Sequence, residues 1–299
     1  LAAVGSLSGC QKAATSENLF RDIEVNMTSV ESAEENQIVK LQMGDGDSAI
    51  SQESNLDIEM TRDPVAVHRK GQQKTNMAGT KETQEMESYQ VEEDGKTVIY
   101  SGTDEAWEKN AVEEKETSSQ QTVLFDGLQN LSGAFSVSQD LATVNKEECF
   151  ELTGTISGTQ FQETFADTLK ALLGEDSSDL SGWNLQASED EENNEELQQK
   201  LNNVKVDCVI DIYRNNILPA KITFDLTDYL KAAGEENAQV TSYTLEVTFV
   251  SYNDTKKIKV PKAVKESAKD NGEDEAENST DEMLEEENQE ATAEAEAAK

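Results

Sequence analysis

Apolar side chains recur at every second position in run after run of this chain, and that period limits what it can fold into. In 240–252, Tyr243, Leu245, Val247 and Phe249 alternate with Thr244, Glu246 and Thr248. The same pattern places Val39, Leu41 and Met43 on one face, then Leu56, Ile58 and Met60, then Val65 and Val67 behind Pro64. Side chains two apart on a strand share a face, so each run is apolar on one side and polar on the other. One-sided strands build antiparallel sheets; a doubly wound parallel sheet needs continuous apolar strands instead. Ile23, Val25 and Met27 read as the first strand of the series. Another strand is expected over 81–91, with Tyr89 and Val91 sharing a face. The turn Glu93-Asp94-Gly95-Lys96 then leads into 97–100, and Asp-Gly between alternating runs is a strong hairpin signal. Strands at 106–109, 149–156, 204–213, 220–226 and 240–252 bring the total to about ten.

Two stretches carry a helical period instead. Val123, Leu124, Leu128 and Leu131 are spaced for a helix over 119–131. Phe161, Phe165, Leu169 and Leu172 form one stripe over 160–173, and Gly174 follows where a helix-terminating glycine belongs. The class is therefore α+β: a large curved antiparallel sheet, a half-barrel, with two main helices on its concave face. Two helices, each about 20 Å long at 1.5 Å per residue, cover only part of such a sheet. An apolar cavity between the layers is the expected result, and concave apolar spaces are the default ligand sites. Its N-terminal wall would be Val25, Met27, Leu41, Met43, Ile58, Met60 and Tyr89, and its helical cover Phe161, Phe165 and Leu169. The C-terminal strands would add Ile222, Phe224, Tyr243, Leu245, Val247 and Phe249.

Charge narrows the function. The 299 residues carry 62 acids against 25 bases, a net −37. Phosphate backbones call for a basic surface, so nucleic acid is excluded as a partner. No run of about 18 apolar residues exists to span a bilayer as a helix. Much of the acid sits in two places. Six acids crowd 187–199, a loop or polar helix within an acidic insert spanning 187–203, and thirteen face a single lysine in 270–299. With few branched or aromatic side chains, the region 266–299 cannot offset its ordering entropy and is expected to be a disordered tail.

The chain opens on an apolar, small-residue stretch running into Leu7-Ser8-Gly9-Cys10, which resembles the bacterial lipobox. In a lipobox the thiol receives a diacylglyceryl group and the peptide is cut just before it. Residues 1–9 are then the remnant of a signal peptide, Cys10 is the lipidation site, and 10–17 is a polar tether. Two acyl chains, each methylene contributing about 0.8 kcal/mol, hold a protein at a membrane where one chain does not. Cys149 and Cys208 form an even pair that an oxidising compartment would bridge. Against a disulfide, alternation places Cys149 with Glu151 and Thr153, and Cys208 with Val206 and Ile210, on opposite sheet faces. Both readings stay open at this level: a bridge, or two buried thiols.

Catalytic constellations are missing. There is no phosphate-binding glycine loop, no GxSxG and no HExxH, and one histidine cannot supply a two-imidazole site. Asp45-Gly46-Asp47-Ser48 opens like a calcium loop, but Ala49 and Leu56 stand at later ligand positions, so a hairpin turn is expected. Acid pairs such as Glu92/Glu93 and Glu235/Glu236 carry no weight among 62 carboxyls. His68 is expected exposed on a strand, opposite Val65 and Val67. Trp107 and Trp183 are expected as core or rim anchors. No enzyme, cofactor or metal is expected.

The order of these features has a likeness. Lipobox and serial hairpins are followed by Tyr100 with Asp104 and Trp107-Glu108-Lys109, then a mid-chain helix pair and Pro219-Ala220-Lys221-Ile222. Tyr252-Asn253 and Lys257-Ile258-Lys259-Val260-Pro261 close it. The chain resembles Gram-positive lipoproteins similar to LolA and LppX, half-barrel carriers of lipids and lipoproteins, with the domain over 18–265. The resemblance implies a protein lipid-anchored at the outer face of the cytoplasmic membrane, holding a hydrophobic ligand, such as a lipid, without catalysis. The alternative is an envelope interaction or sensing module with a closed core and an acidic partner-binding loop.

Overall fold

The computed structural model describes residues 14–45, 49–103, 106–112, 127–173, 191–233 and 239–270. The segment around Ile23 is a helix in it, not a strand: α1 (Ser16–Met27). The Thr15 hydroxyl accepts from the Asn18 amide at 3.3 Å, satisfying one of the orphan donors of the first turn. Leu19, Phe20, Ile23 and Met27 are buried, whereas Val25 is 62 % exposed. Positions 23, 25 and 27 mimic a two-residue period only in that narrow window. Leu19 and Phe20 complete a stripe of period 3.6, and packing selects the helix.

A meander of neighbouring antiparallel strands follows: β1 (Ser32–Met43), β2 (Ile50–Arg62), β3 (Val65–Met77), β4 (Thr80–Glu93), β5 (Lys96–Thr103) and β6 (Ala106–Val112). Asp94 and Gly95 both take positive φ, 52° and 74°, as the predicted hairpin turn requires. A single turn α2 (Leu128–Leu131) leads to β7 (Phe135–Val137), β8 (Ala142–Val144) and β9 (Glu147–Ser157). Helices α3 (Gly158–Leu173) and α4 (Glu191–Asn202) precede β10 (Lys205–Tyr213) and β11 (Pro219–Asp225). Helix α5 (Thr227–Ala233), β12 (Val240–Tyr252), α6 (Lys262–Ser267) and β13 (Lys269–Asp270) complete the chain.

All the strands join one open, curved sheet ordered β13-β6-β5-β4-β3-β2-β1-β12-β11-β10-β9-β7, with β8 also paired to β9. Its ladders are antiparallel except the short parallel pair β13–β6. Among the described residues the sheet has thirteen strands. Three of them, β7, β8 and β13, run for only two or three residues, too few for alternation to register. At Gly71, in the middle of β3, a Cβ would stand 2.0 Å from the Asn55 carbonyl oxygen of the neighbouring strand. Gly102 in β5 is equally crowded, 2.2 Å from the Ala106 oxygen. Glycine permits the close backbone approach at both places.

One face carries the main core. Side chains from α1, α2, α3, α4 and α5 join Leu152, Ile156, Val206, Ile210, Ile222, Phe224, Leu245, Val247 and Phe249 in a single buried cluster. Among the described residues five helical segments thus stand where two helices were expected. Of the helix read over 119–131 only α2 falls within the described residues; Val123, Leu124 and Trp183 lie outside them. The acidic segment is a polar helix at its described end. Leu201 of α4 is fully buried, and its carbonyl oxygen would be 2.8 Å from a Cβ on Gly158.

The C-terminal stretch crosses to the opposite face. Ile258, Val260, Val264 and Ala268 pack there on Ala66, Tyr89, Val91, Val98, Tyr100 and Trp107. Residues 266–270 therefore belong to the folded part, correcting the boundary at 265; 271–299 lie outside the described residues. Tyr89 is corrected too. It pairs with His68 and Tyr100 and faces the C-terminal strap, away from the helices.

Candidate ligand site

Most of the residues read as a cavity wall pack against one another. Phe161 and Phe165 of α3 are buried with their centroids 5.7 Å apart. Phe161 meets Phe224 edge-on at 5.3 Å and Tyr229 at 4.9 Å, and Phe165 meets Phe224 at 4.9 Å. Edge-to-face rings at these separations are in contact, so over β10–β12 helix side chains occupy the concave side. Met27, Leu41, Ile222, Tyr243, Leu245, Val247 and Phe249 belong to the same cluster, and Met43 packs at its edge. Leu169 lies outside the described side chains, and Cys10 outside the described residues.

The cluster ends at β1. Beyond it, on the same face, Ile58 and Met60 form a separate buried group with Ala33 and Val67. Among the described residues this group is built from strands alone; no helix contributes a side chain to it. Between the two apolar groups lies a polar seam. Cross-strand pairing gives the row Phe249–Glu35–Ile58–Arg69 and, next to it, Val247–Gln37–Leu56–Gly71. Glu35 is 2 % exposed and Gln37 1 %. Among the described residues, neither carboxylate oxygen of Glu35 and neither amide atom of Gln37 has a hydrogen-bond partner. Burial pushes the Glu35 carboxyl up from 4.5 to about 7, and the Arg69 guanidinium opposes only part of that rise. Arg69 is itself lowered by burial and supported by Glu35. The hydroxyl of Tyr252, close to Glu35, donates to the Pro219 carbonyl oxygen at 2.8 Å and is held well above its ordinary pKa, mainly by burial.

Glu35, Gln37 and Arg69 were not among the predicted site residues, yet a signal existed. Glu35 and Gln37 stand in the same alternation as Val39, Leu41 and Met43, so the apolar face of β1 begins with two polar positions. A polar residue in an apolar register is informative in a way that an exposed one is not.

On the opposite face His68 is less exposed than expected. Its ring stacks on Tyr89 at 4.3 Å, with Nε2 2.9 Å from Glu87 Oε1 and Nδ1 3.3 Å from Glu59 Oε2. Hydrogen bonds from His68, Tyr89 and Lys70 hold Glu87 low despite the burial that acts against them. Trp107 is a buried anchor under the strap. Cys149 and Cys208 are free, buried thiols. Cys208 pairs with Gly154 and Cys149 with Tyr213, five positions apart along one ladder, so the alternation argument decides against the bridge. Burial raises both thiols, Cys149 to about 11. Among the described residues no group of three or more His, Cys, Asp or Glu could hold a metal ion. No described helix is long and apolar enough to cross a membrane.

Several solved structures match this chain over most of its length. LprF from Mycobacterium bovis matches at 11 % identity with a TM-score of 0.45, covering 82 % of this chain and 96 % of its own. The Mycobacterium tuberculosis lipoprotein LppX matches at 13 % and 0.43, covering 82 % and 98 %. A LolA superfamily protein from Nitrosomonas europaea matches at 9 % and 0.24, covering 84 % and 97 %. A comparison with curated proteins gives no match. A family model matches residues 15–269, from the capping residue of α1 to β13, and the chain belongs to that family, a family of unknown function designated DUF6612.

Proposed function

We propose that this chain is a lipid-anchored envelope protein that holds a hydrophobic ligand on the inner face of its sheet, without a covalent step. The observation that supports this reading is the mismatch between the layers. Among the described residues the helices cover β9–β12 and β1, while the buried group of Ile58, Met60, Ala33 and Val67 continues the apolar surface past them. Acyl chains laid along that continuation would leave water at about 25 cal/mol per Å² of apolar surface buried, enough to drive uptake with no chemistry. The aromatic contacts of Phe161 and Phe165 support a ligand position beside the helix layer, over β1–β3, in preference to one beneath α3.

The experiment is uptake of a fluorescent fatty acid by delipidated full-length protein, with mass spectrometry of lipids co-purified before delipidation. Saturable uptake with a co-purified lipid is the expected result. Absence of both would favour the second reading, an envelope interaction module, which the packed aromatic layer of α3 and α5 would suit. Anchoring is tested separately. Cys10→Ala is expected to move the protein from the membrane fraction to the soluble fraction, and persistence at the membrane would overturn lipidation at that thiol.

A further inference from the structure

From the unpartnered polar seam on β1 we infer that the ligand is an amphiphile with a neutral, hydroxyl-bearing head group, whose hydroxyls hydrogen-bond to Glu35 and Gln37. The inference rests on the carrier reading and adds the head-group chemistry. Its starting point is an unmet demand. Four polar atoms, both oxygens of Glu35 and both amide atoms of Gln37, are sealed from solvent with no hydrogen-bond partner among the described residues. Leaving a buried amide unpartnered is costly, and leaving a buried carboxylate so costs more. Phe249 and Val247 flank these residues on one side, Ile58 and Leu56 on the other, so an aliphatic residue at either position would pack without that cost.

The atoms specify what would satisfy them. A hydroxyl both donates and accepts, so it serves Glu35 whether that carboxyl is ionised or protonated, and Gln37 likewise both donates and accepts. A carboxylate or phosphodiester head has no proton to donate to Gln37 or to an ionised Glu35, and is repelled by the ionised form. An ammonium head donates but adds a second cation beside the Arg69 guanidinium, which already couples to Glu35. A neutral hydroxyl pair, as in a glycerol or sugar head, donates to the carboxylate and completes the amide without either repulsion. The acyl part then lies along Ile58, Met60 and Val67, on the same face. Because both polar side chains are closed off, the guest reaches them by parting the apolar contacts around Phe249 and Ile58.

The test compares four oleoyl probes on delipidated full-length protein: 1-monooleoylglycerol, methyl oleate, oleic acid and oleylamine. Monooleoylglycerol is expected to bind at least about tenfold tighter than methyl oleate, a contrast within the range of one to two buried hydrogen bonds. The double variant Glu35→Met/Gln37→Leu is expected to lose the preference for monooleoylglycerol over methyl oleate. Equal binding of monooleoylglycerol and methyl oleate by the unmodified protein would overturn the head-group assignment while leaving the carrier reading standing. So would tightest binding of oleic acid or of oleylamine. Failure of all four probes would overturn the carrier reading itself. The ranking on unmodified protein decides the assignment even where the double variant fails to fold.

Discussion

Glu35→Gln is expected to stabilise the ligand-free protein by about 3 kcal/mol at pH 8 and to change it little near pH 4. Few single substitutions stabilise by that much, and the reason is the sign of the linkage. Burial raises the folded-state carboxyl from 4.5 to about 7, so the folded chain holds its proton more tightly than the unfolded chain. Between those values the folded state binds more protons, and stability falls as the pH rises through the window. Below about pH 4 both states are protonated and the penalty is gone; above about pH 7 it is fully present. Glutamine keeps the shape and the polar atoms but cannot ionise. The variant should therefore flatten the part of the stability–pH curve that lies between pH 4.5 and 7. Asp211 gives a decline of the same sign between 3.8 and about 6, through burial and the nearby Glu151, and remains in the variant as an internal reference. Urea unfolding of both proteins at pH 4, 6 and 8 provides the measurement. Parallel curves across that range would show that Glu35 is not held neutral in the fold.

Phe161→Ala is expected to destabilise by about 3–5 kcal/mol at every pH. Its ring is fully buried and touches Phe165, Phe224 and Tyr229, which belong to α3, β11 and α5. Truncation removes the transfer free energy of the ring and opens a space that three elements would have to close together. For a fold whose total stability lies in the ordinary range of about 5–15 kcal/mol, that is a large fraction. The unfolding midpoint in urea should drop at unchanged slope. A loss below about 1 kcal/mol would mean that the aromatic layer is loose enough to admit a guest, and would return the ligand to the space beneath α3. Stabilisation at Glu35 and destabilisation at Phe161 together separate two parts of the inner face: one a packed core, the other a polar seam at its margin.

The alternation that made β1 to β5, β9, β10 and β12 readable is a local property, because side chains two apart share a face whatever the partner strand. The failures were of two kinds. At α1 the local signal was ambiguous: Ile23 and Met27 are four apart, which suits both periods, and only the burial of Leu19 and Phe20 against the sheet resolves it. At Tyr89 the local signal was right about its shared face with Val91 but could not say which side of the sheet that face joins. Pairing of Ala66 with Val91 and of His68 with Tyr89 fixes that side, and the pairing is long-range. The same limit hid the seam. Glu35 and Gln37 can be read as polar positions in an apolar register, but Arg69 approaches Glu35 only because β3 lies two strands away across Ile58.

By itself the amino-acid order determined an antiparallel α+β architecture, the hairpin at Asp94-Gly95 and the opposite facing of Cys149 and Cys208. It did so because strand period and turn stereochemistry are written in neighbouring residues. Among the described residues, tertiary structure alone decided that five helical segments fill one half of the inner face, that residues 258–268 pack on the opposite face, and that two polar side chains are buried without hydrogen-bond partners at the edge of the helix layer. Those outcomes depend on which surfaces meet, and burial and electrostatic cost have no value until they do.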